Sequence, residues 1–225
     1  MVIQLDNHVI YYEHTGEGQP LLLLHGNKED HHIFDELCTE LEADFEIFAV
    51  DMRGHGLSAK EKEYHYADMA YDIIRLIESL DIQKPLIAGF SDGGIIALLT
   101  AIRRSDLISG IIACGPNLSP KALTLGTRME IKRDIRRNHD PRDEMMLREP
   151  DISESDLGHI SVPALILAGD RDICKRSHFE GIADAIPGAG CEILKGEDHS
   201  SYVIHQTRLA PYIRSMGSRV SGKVL

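Results

Sequence analysis

Pro85-Leu86-Ile87-Ala88-Gly89-Phe90-Ser91-Asp92-Gly93-Gly94-Ile95-Ile96-Ala97-Leu98-Leu99 decides the fold. It opens as a short apolar run without alternation, the pattern of a strand buried on both faces. It then turns through glycines and continues with apolar residues at helical spacing. The turn spells G-x-S-x-G in the strand, turn and helix setting that gives this motif its meaning. A serine at so sharp a turn is held at strained backbone angles and presented at the end of the sheet, beside the positive end of the following helix dipole. The pattern alone also fits an ordinary glycine-rich turn between a strand and a helix, so the rest of the chain must arbitrate.

The same rhythm recurs outward from this stretch. Apolar runs bounded by turn residues lie at Pro20 to Leu24, Glu46 to Val50, Gly110 to Cys114, Ala164 to Ala168 and Glu192 to Leu194. Between them, Ile33, Leu37 and Leu41, then Met69, Ile73, Ile77 and Leu80, then Ile95, Leu98, Leu99 and Ile102 repeat at helical spacing. Further helices are expected over about Ser177 to Ala185 and about Tyr202 to Arg214. Alternating strand and helix means right-handed crossovers and a parallel sheet covered by helices. At the N-terminus Val2 to Leu5 and Val9 to Glu13, joined at Asp6-Asn7-His8, read as an antiparallel hairpin at the sheet's edge. The rhythm lapses between Asn117 and Val162. This segment reads as a helical excursion over one end of the sheet, and it carries eight Lys or Arg against nine Asp or Glu, almost neutral in a strongly acidic chain.

Composition narrows the function. The net charge of −12 over 225 residues repels phosphate backbones, so nucleic acid is not an expected partner. No apolar run approaches the ~20 residues of a membrane span, and the first residues lack a basic, then apolar, leader pattern. A cytoplasmic location is expected. Cys38, Cys114, Cys174 and Cys191 form no C-x-x-C pair, which suits free thiols rather than disulfides or a zinc ribbon.

With these elements in place the chain resembles the α/β-hydrolase superfamily over essentially its whole length. Leu24-His25-Gly26-Asn27 is similar to the H-G-x loop that gives one backbone N–H to an oxyanion hole, and Asp51-Met52-Arg53-Gly54-His55-Gly56-Leu57-Ser58 to the family's D-x-R-G-x-G-x-S turn. Gly169-Asp170-Arg171-Asp172 matches the G-x-x-D pattern that carries the acid, and Gly196-Glu197-Asp198-His199-Ser200 falls where the histidine belongs. The resemblance implies an eight-stranded, mostly parallel sheet flanked by helices, with residues 1–117 and 163–225 as core and 118–162 as a short helical cap. It implies Ser91 as nucleophile, His199 as its base and Asp172 as the orienting acid, in the chain order this fold requires, with Asp170 competing for the last role. Asn27 and Asp92 would supply the oxyanion-hole N–H groups. The expected protein is a cofactor-independent serine hydrolase acting on a small ester. The same three residues also serve carbon–carbon bond hydrolysis and perhydrolysis, and a ligand-binding or signalling protein can retain the fold without turnover. A serine at the turn argues against the dehalogenases and epoxide hydrolases of this fold, which attack with aspartate.

The substrate side is less constrained. Phe90 is expected as part core, part pocket wall, and Met129, Met145 and Met146 as pocket lining or as anchors of the cap. Arg128, Lys132, Arg133, Arg136 and Arg137 suggest either an anionic gate or a solvated helix face interleaved with Glu130 and Asp134. The Ser91-Asp92-Gly93-Gly94 turn resembles that of biphenyl-hydrolase-like enzymes and hydrolases of amino-acid esters. There Asp92 could meet a substrate ammonium, or act only as an acid favouring the helix N-terminus. His31-His32 beside Glu29, Asp30 and Asp35 is expected to be solvated rather than metal-binding, and no metal or cofactor is expected. Gly217 to Lys223 nearly spells a phosphate loop but lacks the Ser or Thr and the helix that should follow.

Overall fold

In the computed structural model, which describes residues 1–6 and 8–222, the apolar runs become strands of one eight-stranded sheet. The strands are β1 (Val2–Leu5), β2 (His8–Thr15), β3 (Gln19–Leu24), β4 (Phe45–Asp51), β5 (Leu86–Phe90), β6 (Gly110–Cys114), β7 (Ala164–Arg171) and β8 (Gly190–Asp198). Their order is β1-β2-β4-β3-β5-β6-β7-β8. β1 and β2 pair antiparallel, β2 joins β4 antiparallel, and every other pairing is parallel. This is the α/β-hydrolase fold.

The sheet is buried on both faces because helices cover each side. Against one face pack α2 (Tyr66–Ser79), α3 (Asp92–Arg104), α6 (Glu154–Leu157) and α7 (Arg176–Ala185). Against the other lie α1 (Asp35–Leu41), entered through a 3-10 turn at His31–Phe34, and α8 (Ala210–Ser221). Between β6 and β7 the chain forms α4 (Leu125–Asn138), α5 (Pro141–Arg148) and α6, so the lapse in strand rhythm is a helical segment. Met145, Ile152, Leu157 and Ile160 anchor it in the core.

Two sequence expectations shift. The last helix begins at Ala210 rather than near Tyr202, because Pro211 lacks an N–H and fits only the first turn of a helix. Residues 201–205 form a turn instead, which seats Tyr202 and Val203 in the core. β8 is much longer than its apolar stretch: as an edge strand it needs apolar side chains only where it meets neighbours, so its end is polar. Asn7 of the hairpin turn, and the Lys223-Val224-Leu225 end of the phosphate-loop-like stretch, lie outside the described residues. No helix among the described residues is long and apolar enough to cross a membrane. The four cysteines are unpaired.

The turn after β4 is braced by buried charge. Asp51 Oδ1 accepts hydrogen bonds from the backbone N–H (2.8 Å) and ring Nδ1 (2.7 Å) of His31, and Oδ2 from Leu57 N–H (2.8 Å). His31 is thereby buried rather than solvated, correcting that expectation; His32 is exposed beside Asp35. Asp30, His31 and His32 bring their donor atoms within 4.8 Å of one another, but these hydrogen bonds already engage both rings. Arg53 clasps Asp72 of α2 through two hydrogen bonds of 2.8 and 2.7 Å, with His8 of β2 also on that carboxylate at 2.8 Å. Removing Asp72 strips the half-buried Arg53 of both these hydrogen bonds and leaves it, among the described residues, only Asp68 as a salt-bridge partner, at 3.7 Å. Asp72→Ala is therefore expected to lower the unfolding free energy by about 3 kcal/mol, measured by chemical denaturation. A loss below about 0.5 kcal/mol, the scale of a surface substitution, would show that this clasp does not brace the fold.

Candidate active site

Ser91 stands between β5 and α3 at φ 52°, ψ −112°, a conformation that L-residues rarely adopt. Its neighbours explain how the strain is held. A Cβ at Gly89 would lie 2.1 Å from Gly93 O, and one at Gly93 would lie 2.1 Å from Leu24 O. Only glycine at both places lets the turn close against itself and against the end of β3. Hydrogen bonds from Ser91 N–H to Cys114 O (2.8 Å) and from Gly93 N–H to His25 O (3.0 Å) tie it to both neighbouring strands.

His199, in the loop after β8, brings Nε2 to 3.0 Å from Ser91 Oγ and Nδ1 to 2.6 Å from Asp172 Oδ1. The ring needs space beside β6, and Gly115 supplies it. A Cβ there would lie 2.8 Å from His199 Cε1, and Gly115 itself has φ 62°. Asp172 is buried and also accepts from Ile173 N–H (2.7 Å) and Gly169 N–H (3.2 Å), which fixes its carboxylate. Asp170, the competitor, points elsewhere: it is half-exposed and accepts from Gly196 N–H at 3.0 Å. With Nδ1–H donating to Asp172, Nε2 is left as an acceptor for the Ser91 hydroxyl.

The loop after β3 closes the other side. Burial and the neighbouring His55 hold buried His25 well below the usual histidine range. Its neutral ring donates from Nδ1 to Gly26 O (2.7 Å) and accepts from Met52 N–H at Nε2 (3.0 Å), fixing the backbone at Gly26-Asn27. Glu29 accepts from Gly26 N–H at 2.8 Å, and burial raises its pKa. The Asn27 side chain reaches Asp143 and Met146 of α5. The Asp92 N–H is the first of α3, where no intrahelical acceptor exists.

Ser91, His199, Gly26, Asn27 and Glu29 line a cleft of about 360 Å³. Phe90 forms its wall, with its ring centroid 5.0 Å from that of His199. Of the three methionines only Met146 lines it. Met145 is fully buried in the core, and Met129 is 63% exposed on the outer face of α4, so neither is pocket lining. The Asp92 carboxylate does not line the cleft either. It is 1% exposed and accepts a hydrogen bond of 2.7 Å from the Tyr66 hydroxyl, which removes it from any substrate ammonium in the cleft. The five basic residues of α4 likewise stay out of the lining, while Thr127, Glu130, Ile131 and Asp134 enter it, spaced as one face of a helix. Tyr66, Gly115, Ile173 and Ile204 escape sequence reasoning because each acts through a tertiary contact, whereas Glu29, read there only as a neighbour of the histidine pair, acts through a local hydrogen bond from Gly26. Only the glycine after β6 carries a local signal.

Gly115→Ala is expected to push the imidazole away from Ser91. A crystal structure of the variant should show Nε2 beyond the hydrogen-bond limit of about 3.2 Å from Oγ. A ring still within that distance would mean that Gly115 serves only its own left-handed backbone.

Comparison with known proteins agrees with this architecture. The alpha/beta hydrolase fold matches residues 19–137. The AB hydrolase superfamily protein YisY of Bacillus subtilis is 37% identical over 99 residues, covering 43% of this chain and 37% of that protein. The 2-(acetamidomethylene)succinate hydrolase of Mesorhizobium japonicum is 35% identical over 99 residues, covering 44% and 36%. The matched stretch thus spans little more than a third of these curated relatives. Among solved structures, a thermophilic esterase from Thermogutta terrifontis superposes with a TM-score of 0.78 at 23% identity, covering 95% of this chain and 94% of that one. The match runs from β3 through β4, β5, the serine turn and β6 into α4, over more than half of the sequence, and on it the chain belongs to the alpha/beta hydrolase fold family.

Proposed function

We propose that the protein is a cofactor-independent serine hydrolase that cleaves a small ester through an acyl-enzyme on Ser91. The observation that carries this reading is the continuous hydrogen-bonded line from Ser91 Oγ through His199 to Asp172, at 3.0 and 2.6 Å. A serine hydroxyl is a weak nucleophile until a positioned base takes its proton. Here Nε2 accepts that proton as Oγ bonds to the ester carbonyl carbon, and Asp172 steadies the resulting imidazolium. The carbonyl oxygen, now negative, is received by the backbone N–H groups of Asn27 and Asp92, aimed before the reaction begins. The tetrahedral intermediate collapses as His199 returns the proton to the leaving alkoxide. A water deprotonated by His199 then attacks the acyl carbon, and the carboxylic acid departs with Ser91 regenerated.

The helical segment 118–162 acts as a short cap over this cleft, with Met146, Ile131 and Phe90 offering an apolar surface to the acyl group. The lining carries the carboxylates of Glu29, Glu130, Asp134 and Asp143, and its one Lys or Arg, Lys28, is paired with Asp143. Such a cleft repels anionic substrates.

Three outcomes check this reading. In a p-nitrophenyl ester assay Ser91→Ala and His199→Ala should each lose as much activity as the double variant, because the residues act as a unit; additive losses would contradict it. Asp172→Asn should lower kcat by about 10⁴-fold, with Asp170→Asn nearly without effect; the reverse ranking would move the acid to Asp170. Among esters matched in size, those with an anionic acyl group should show several-fold lower kcat/KM than neutral ones, a gap that narrows with added salt. Faster turnover of the anionic ester would show that the cleft's carboxylates do not select the substrate.

A further inference from the structure

Asp92 follows the proposed nucleophile directly, and its backbone N–H is a proposed oxyanion donor, yet its carboxyl group has no part in the steps above. Its setting is unusual for a carboxyl group. The side chain is 1% exposed, Oδ1 takes one hydrogen bond of 2.7 Å from Tyr66 Oη, and Oδ2 is buried without a partner. Tyr66 is equally buried, at the first turn of α2. That turn is itself held from the helical segment, since Glu149 accepts from Tyr66 N–H at 3.1 Å and pairs with the His65 ring.

The Asp92 carboxyl feels titratable groups from several elements. Tyr66 of α2 hydrogen-bonds it, and the charges that act on it are Glu29 of the loop after β3, His199 of the loop after β8 and Asp143 of α5. Two of these are carboxylates, of which Asp143 is paired with Lys28. We propose that Asp92 is a positioning residue whose carboxyl group must be neutral for the Asn27 and Asp92 N–H groups to hold an oxyanion, and that the Tyr66 hydroxyl sets where it ionises. The electrostatic reason is local. The carboxyl belongs to the same residue as one of the two donors, so an ionised Asp92 places a full negative charge in a dry site beside the negative oxygen that the N–H must attract. The imidazolium of His199, on a different loop, offsets this only in part.

The direction of the pH effect follows. Burial raises the Asp92 pKa to about 7, and the Tyr66 hydrogen bond, which favours the charged form, opposes that rise. The neutral and competent form therefore prevails on the acid side and is lost as pH rises through this value. The inference rests on Ser91 being the nucleophile.

The test is the pH profile of kcat for a neutral p-nitrophenyl ester between about pH 6 and about pH 9, a span that brackets the ionisation, in wild type, Asp92→Asn, Tyr66→Phe and Ser91→Ala. Wild type should lose activity on the alkaline side. Asp92→Asn, which cannot ionise, should lack that limb, so its kcat relative to wild type rises by about tenfold for each pH unit beyond it. Tyr66→Phe, which removes the bond favouring the charged form, should move the limb to higher pH with KM little changed. A role confined to holding the turn together would lower stability and kcat in both variants while leaving the shape of the profile as in wild type, and that result would overturn the proposal. So would a Tyr66→Phe limb displaced to lower pH. Should Asp92→Asn fail to fold, the direction of the Tyr66→Phe shift decides alone. Activity retained in Ser91→Ala would instead overturn the serine-hydrolase reading, an outcome independent of the limb.

Discussion

The contact between the Ser91 turn and the end of β3 governs the rest of the molecule. Gly93 passes so close to Leu24 O that no side chain fits, and Gly89 passes equally close to Gly93 O. That double approach holds Ser91 at positive φ, at a strain of order 1–3 kcal/mol that persists because the surrounding structure over-determines it. Everything with chemical potential is placed relative to this point. The β3 loop carrying His25, Gly26 and Asn27 lies alongside because β3 pairs with β5, and the loops after β7 and β8 reach it because parallel strands deliver their C-terminal ends to one edge.

Around that point several buried charges are held by fixed partners. Asp172 is held by two backbone N–H groups before it meets His199, and Asp51 by two before it meets the His31 ring. Arg53 and His8 share Asp72. His25 and His55 are pushed down by burial, His55 to about 4, so both serve as neutral hydrogen-bonding parts. Asp92 is the exception, a buried carboxyl with one oxygen unanswered.

The central strands were legible because burial on both faces leaves an unbroken apolar run, and Ser91, Asp172 and His199 because each follows such a run with a recognisable turn. β8 was under-read, since an edge strand need not be apolar throughout, and the start of α8 was misplaced because Pro211 outweighed the apolar pattern of Tyr202, Val203 and Leu209. The substrate side was the least legible. Ile131 and Ile135 share a helical face while Met129, two residues before Ile131, falls on the opposite side, and only the packed structure says that the Ile131 face is the one turned inward. Of the two readings of Asp92, toward the cleft or as an acid at the helix N-terminus, the sequence left the first open because its partner Tyr66 lies on another helix, a contact that only the packed structure supplies.

The central claim is that Ser91 carries the acyl group, and it is met most directly by mass spectrometry of the protein quenched in the burst phase with p-nitrophenyl acetate. An acetyl increment on the peptide containing Ser91, formed and lost at rates that account for turnover, is the result this account predicts. Steady ester turnover with the acetyl group on another residue, or on none while deacylation is slowed, would contradict it.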